Sequence, residues 1–267
     1  HYLYFLYSPG EQTPFLHVKK MKPGHVIRFN IENPSAYIYQ QFYDIPFEGK
    51  YTDKSQDELV KEVDAHLTKA LERQLLSDVP VGFFLSGGLD SSAMVALARK
   101  LYPDKKINTY TIDTGGGFDG FEDDLKYAKI VAKHLNVELD ILKTEIDVVK
   151  DFDKMIWHLD EPQADAAPLN VLAICERARE KGDVVLLGGT AGDDLFSGYR
   201  RHQALNYEGL FRSVPGIGWK MANSLLNVFP AQNSFIRRSK KLIADAHLEA
   251  DERIAKYFGW INHIEII

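Results

Sequence analysis

From residue 81 onward, short strand-like runs alternate with helical patterns, and no other feature of the chain limits its possible folds as sharply. The runs are Val81–Leu85, Ile107–Ile112, Glu138–Leu142 and Val184–Leu187. Val81–Leu85 is continuously apolar save for Gly82, the signature of a strand buried on both faces. Between the runs lie helical segments over 91–101, 123–135, 147–159 and 169–181. On the third-to-fourth-residue rhythm of one helix face, the second carries Leu125, Ala128, Val131, Ala132 and Leu135. Strands alternating with helices predict an α/β fold, a doubly wound and mostly parallel sheet covered on both sides. Such sheets bind ligands beyond the carboxyl ends of their strands, so the loops after Leu85, Ile112 and Leu187 should open on one crevice.

The flanks read differently. Residues 1–45 are expected to be β-rich: the run Tyr2–Tyr7 is aromatic and apolar, and the turn Pro23-Gly24 precedes Val26-Ile27-Arg28-Phe29. A linker over 46–55 leads to Ser55 and Glu58, spaced as a capping box ahead of Leu59, Val63, Leu67, Leu71 and Leu75. From Gln203 the chain reads as helical, broken at Pro215 and Pro230. The net charge of −6 argues against a non-specific nucleic-acid binder, and no apolar run approaches the roughly 20 residues that span a bilayer. No secretory signal is recognisable. The single cysteine, Cys175, precludes an internal disulfide and fits a cytoplasmic setting. Set mid-helix among Leu172, Ala173 and Ile174, it is expected to be buried as a small apolar residue. Beginning at His1 and ending on Trp260–Ile267, the chain reads as a piece of a longer protein.

The loop after the first strand carries the chemistry. Leu85 is followed by Ser86-Gly87-Gly88-Leu89-Asp90-Ser91-Ser92. Two glycines permit a tight turn and close backbone approach, and a helix starts at once, with unpaired N–H groups and the positive end of its dipole. Hydroxyls of Ser86, Ser91 and Ser92 add donors, which together make an anion cradle. Asp90 is out of place there unless it holds Mg²⁺ bridging phosphate oxygens. No Gly-Lys-Ser/Thr follows, so this is not a Walker A loop. A site that grips the pyrophosphate end as leaving group favours attack at the α-phosphate and an adenylate product.

Ser-Gly-Gly-Leu-Asp-Ser-Ser resembles the PP-motif of the asparagine synthetase family within the ATP pyrophosphatases. The resemblance continues through Asp160-Glu161-Pro162, Gly189 to Asp194, and Leu195-Phe196-Ser197-Gly198-Tyr199, and covers roughly 1–205. It implies a PP-loop ATP-pyrophosphatase (adenine nucleotide α-hydrolase-like) domain over 55–202. Residues 1–54 would be a remnant of a glutaminase domain and its linker, and 203–267 a truncated helical part. It implies that Leu85 to Ser92, Ile112, Gly188 and Gly189 bind ATP, with the main chain at Ile112 against adenine. Asp90 and Asp193 would hold Mg²⁺, and Asp90, Thr190 and Asp193 would serve catalysis. The implied reaction activates a carboxylate, aspartate in the family, as an acyl-adenylate, which ammonia converts to an amide with AMP. Ammonia would come from a glutaminase domain missing here, since no N-terminal cysteine is present. The family leaves room for a homodimer.

One departure bears on the second half-reaction. The family usually has an acidic residue where this chain has Thr190, which can hydrogen-bond but is no base at neutral pH. An amidotransferase for another carboxylate, such as a sugar or antibiotic precursor, is therefore an alternative, as is a non-catalytic ATP-binding remnant. A dinucleotide site is a further one: Gly115 to Gly120 fits Gly-x-Gly-x-x-Gly, with Asp140 about 20 residues on. Against it, Asp113, Asp119, Glu122, Asp123 and Asp124 crowd that loop and would repel pyrophosphate. The Asp160-Glu161 pair is open between a substrate role and a solvated turn. So is the basic cluster Arg200, Arg201, His202 between phosphate contact and a solvated helical face.

Overall fold

The computed structural model describes residues 2–45, 52–113, 122–143, 147–163, 165, 167–229 and 234–259. Its elements are, in chain order, α1 (Tyr2–Phe5), β1 (His25–Asn30), β2 (Asn33–Gln41), α2 (Gln56–Gln74), β3 (Val81–Phe84), α3 (Leu89–Leu101), β4 (Asn108–Asp113), α4 (Glu122–Leu135), β5 (Glu138–Lys143), α5 (Val148–Leu159), α6 (Ala167–Glu180), β6 (Val185–Leu187), α7 (Gly192–Leu195), α8 (Arg200–Leu205), α9 (Glu208–Ser213), α10 (Gly216–Asn227), α11 (Ser234–Ile243) and α12 (Ala250–Phe258). They fall into two compact units, Ser8–Thr190 and His1–Tyr7 with Ala191–Ile267.

The first unit contains the sheet. Its order is β5-β4-β3-β6, with every pairing parallel. The α/β class and the parallel sheet expected from the alternation are present. Side chains on β3 alternate between the two faces, as a strand's pleat requires. Phe83 and Leu85 join Leu71, Val95, Ala98 and Ala128 in a core under α2, α3 and α4. Phe84 joins Tyr110, Ile174 and Ala178 on the opposite face, under α6. Helix α2 starts at the expected capping box: the Ser55 Oγ accepts from the Glu58 N–H at 3.4 Å, and the Ser55 N–H donates to Glu58 Oε2 at 2.8 Å.

Gly82 sits mid-sheet because a Cβ there would lie 2.8 Å from Asp183 Oδ2 and 2.9 Å from the Tyr110 ring. That space holds a buried polar knot. Asp183 Oδ2 accepts from the Tyr110 hydroxyl at 2.7 Å and from the Asn108 side-chain amide at 3.0 Å, with Asp183 only 4% exposed. Burial, followed by the bond to Asp183, pushes the Tyr110 phenol well above its usual value.

Two expectations are corrected. Residues 2–5 form a helical turn, not a strand; strands in this region are confined to the hairpin β1–β2. An aromatic apolar run does not by itself distinguish strand from helix, and here Tyr4 packs on Gly259 instead of pairing with a neighbouring strand. Cys175 is exposed, because it lies one residue beyond the core-facing Ile174 on α6.

The second unit is helical. Its centre is Arg253, 2% exposed, whose guanidinium donates to Glu208 Oε1 at 2.8 Å and to the Ala246 carbonyl at 3.2 Å over the face of Phe211.

Candidate functional site

Chain order and sheet order disagree at one place. The chain steps from β3 out through β4 to β5, then returns to lay β6 on the other side of β3. The carboxyl ends of β3 and β6 flank this reversal, where open α/β sheets form their binding crevice. The loops leaving these two strands carry Ser86–Ser92 and Gly188–Thr190, so both groups of expected site residues meet at the switch point.

Leu85 anchors the first loop. It is fully buried, and its N–H donates to the Tyr110 carbonyl at 2.9 Å. Gly87 has φ of +87°, and a Cβ there would sit 2.6 Å from the Ala128 N–H nitrogen, so both the turn and the close passage of α4 need glycine. Gly88 is the N-cap of α3 with extended backbone and no side-chain cap. The N–H groups of the first turn are thus not satisfied by a capping side chain, unlike those at α2 or α5, where Ser55 and Asp147 do that work. Ser86, Gly88 and Leu89 are exposed, so no side chain paves over the turn.

The serine hydroxyls behave differently from expectation. Ser91 Oγ accepts from the Ser86 N–H at 3.2 Å and donates to the Gly88 carbonyl at 3.2 Å. Ser86 Oγ lies 2.9 Å from Ser91 Oγ and accepts from the Gly88 N–H at 3.3 Å. These two serines staple the loop into shape through hydrogen bonds within it. Ser92 Oγ is buried without a partner among the described residues. Asp90 is half-buried on the first turn.

Gly189 packs directly on that turn: a Cβ on it would lie 2.6 Å from the Asp90 carbonyl carbon and 2.7 Å from the Ser91 nitrogen. Gly188 is unconstrained by comparison, its nearest would-be neighbours being Phe84 at 3.5 Å and Thr190 Oγ1 at 3.6 Å. Ile112 lies near the end of β4, paired with Leu142, with its side chain in the α6-side core.

Asp193 belongs to the helical unit, on the short turn α7, where its carboxylate lies flat on Gly198. Asp194 pairs with Arg201 at 3.7 Å. The Arg201 guanidinium stacks 4.2 Å from the Tyr199 ring centre, a packed arrangement in place of a solvated face. Glu161 accepts an ion pair from Lys20 at 2.7 Å, a partner 141 residues away that no local pattern signals. The Gly115 to Gly120 segment lies outside the described residues.

The parallel sheet, the glycine turn that opens α3 and the second glycine loop pressed onto it all lie within the residues that a family model matches. The model described as asparagine synthase aligns with residues 62–263. This chain belongs to the asparagine synthase family. Among curated relatives, asparagine synthetase (glutamine-hydrolyzing) 1 of Bacillus subtilis (strain 168) is 31% identical over 230 residues, 86% of this chain and 35% of the relative. A putative asparagine synthetase (glutamine-hydrolyzing) 2 of Methanocaldococcus jannaschii is 32% identical over 203 residues, 75% of this chain and 38% of the relative. Amidase chyE of Penicillium rubens is 26% identical over 211 residues, 72% of this chain and 30% of the relative. The chain thus spans about a third of the length of these relatives. Among solved structures, the NH3-dependent NAD synthetase of Campylobacter jejuni matches with a TM-score of 0.36 and 14% identity over 71% of this chain and 96% of that one. Among the described residues, no helix is long and apolar enough to cross a membrane.

Proposed function

We propose that this chain is the synthetase part of an ATP-dependent amide-forming ligase, which activates a carboxylate as an acyl-adenylate and releases pyrophosphate. The observation that carries the reading is the turn 86–90, whose first-turn N–H groups lack a side-chain cap and whose hydroxyls are spent on holding its shape. Such a turn is preorganised for the charge that builds on a departing pyrophosphate. Gly189, packed on the same turn, brings the second loop close enough to complete the nest. The main chain near Ile112, at the end of β4, is the proposed adenine contact.

Among the described residues no three acidic, histidine or cysteine side chains converge as a resident metal site needs. A half-buried carboxylate beside a phosphate nest fits Mg²⁺ that would arrive with the nucleotide. Asp90 is the residue that would hold it, with Asp193 as the proposed second carboxylate, and the ion would neutralise charge on the leaving group. The chain's own share is to bind the polyphosphate, orient its α-phosphate to the attacking carboxylate and keep that geometry fixed.

Aspartate is the proposed acceptor carboxylate and ammonia the nucleophile, delivered by a proposed glutaminase region; the Bacillus and Methanocaldococcus relatives are named as glutamine-hydrolyzing. The cytoplasm is the proposed setting. A different acceptor carboxylate is the second reading, favoured by the neutral Thr190 beside Gly188 and by the amidase-named relative. ATP–pyrophosphate exchange by the full-length protein against a panel of carboxylates tests both. Exchange that needs aspartate supports the first; exchange with another acid alone supports the second. ATP binding without exchange for any acid overturns adenylation.

A further inference from the structure

We propose that Lys20 is a positioning residue for the nucleotide crevice, holding the 160–163 turn and cancelling the charge of Glu161 so that a polyanion is admitted. The inference rests on the ATP-binding reading above and extends it to a residue far from the loops that reading uses. Helix α6 leads into β6, which runs parallel to β3. The start of α6 must therefore lie on the side of the sheet where the strands end, the crevice side. The turn Asp160-Glu161-Pro162, which closes α5 a few residues ahead of α6, adds a carboxylate to the approach to that side. Its backbone is sharply bent, with Asp160 at φ +60° closing α5.

Lys20 answers that carboxylate from another part of the chain. Its ammonium lies 2.7 Å from Glu161 Oε1 and donates to the Ser8 carbonyl at 2.8 Å. The two side chains are 34% and 18% exposed, so the pair is partly shielded and the Glu161 charge is not left to water. The mount is stiff. Residues 8–20 close on themselves through the Gln12–Lys19 bridge, the Lys20 N–H to the Glu11 carbonyl at 2.8 Å, and Thr13 Oγ1 to the Val18 carbonyl at 2.8 Å. A fixed cation on a fixed loop thus sets both the place and the net charge of the turn. Without it, a released carboxylate on that side of the sheet would add to the repulsion of a substrate that carries several negative charges.

The test uses the full-length protein carrying Lys20→Met, Lys20→Arg, Glu161→Gln or the double change Lys20→Met/Glu161→Gln. MgATP binding by calorimetry, ATP–pyrophosphate exchange and thermal unfolding are read on each. For Lys20→Met, the expected result is MgATP binding weakened roughly tenfold and a matching rise in KM with kcat held, a loss of binding felt equally in ground and transition states. The defect should shrink with added salt, Lys20→Arg should stay near wild type, and the double change should bind better than Lys20→Met alone because no unpaired carboxylate remains. Wild-type binding in Lys20→Met, a defect indifferent to salt, or a double change no better than the single overturns the inference. So does a defect that appears only where Lys20→Met has begun to unfold. If wild type binds ATP but exchanges with no carboxylate, the adenylation reading fails while the binding comparison still decides the role of Lys20. If wild type does not bind MgATP, both fail.

Discussion

Two adjacent glycines, Gly188 and Gly189, should respond in opposite ways to the same added methyl group. At Gly189 the methyl would meet the main chain of the first turn of α3, 2.6 Å from the Asp90 carbonyl carbon, 2.7 Å from the Ser91 nitrogen and 2.8 Å from the Asp90 Cβ. Against an ordinary contact beginning near 3.4 Å, that is an overlap of about 0.8 Å. Neither a side-chain rotation nor a flexible end can relieve it, because two of the three atoms are backbone of a helix start. The loop after β6 and the turn 86–90 must separate, at a cost of roughly 1–3 kcal/mol, the usual range for overpacking. A shift of this size at a site that works by orientation is also worth about 100-fold in rate. At Gly188 the nearest contacts are 3.5 and 3.6 Å and the backbone angle needs no glycine, so alanine is expected to be neutral or to stabilise by up to about 1 kcal/mol through a less flexible unfolded chain. Urea unfolding of both variants in the full-length protein, with ATP–pyrophosphate exchange measured well below the transition, checks this. Gly189→Ala with wild-type stability and exchange would refute the claim that the two loops touch through Gly189.

Other expectations follow from the same geometry. Asp90→Asn should leave stability within about 0.5 kcal/mol, since Asp90 neither caps α3 nor fills the core, yet lower exchange by at least about 100-fold by removing the carboxylate proposed for the cation. Tyr110→Phe should destabilise by roughly 1–3 kcal/mol, because Asp183 would keep only Asn108 as a donor among those seen here; a denaturation curve reads the change. The hydrogen bond from Arg253 holds the Glu208 carboxyl below its usual range, so it binds protons less readily folded than unfolded. Its stabilisation is complete above the unfolded carboxyl value near 4.3 and is lost as the pH falls through the lower folded value. Melting of the protein between about pH 2 and 6 should show an acid-side decline that is shallower in Glu208→Gln.

Much of the sheet unit was legible from residue order alone. Local chemistry decides a capping box, so Ser55 and Glu58 marked the start of α2. The two-face burial of β3 and the helix directly after Gly88 were equally plain, because the pleat period and the turn needs of glycine act within a few residues. The same rules fell short at Tyr2–Phe5, where an aromatic run suits a strand or a helix until a neighbour such as Gly259 chooses. They fell short at Cys175, where one step around α6 separates core from solvent.

What sequence by itself determined was the kind of sheet and the glycine turn that opens α3, since both arise from near-neighbour patterns. Only the tertiary structure decided that β6 returns to the flank of β3, that Gly189 touches the first turn of α3, and that Lys20 meets Glu161 across 141 residues. Those contacts are settled by how whole elements pack, and no short window of sequence records where a distant backbone comes to rest.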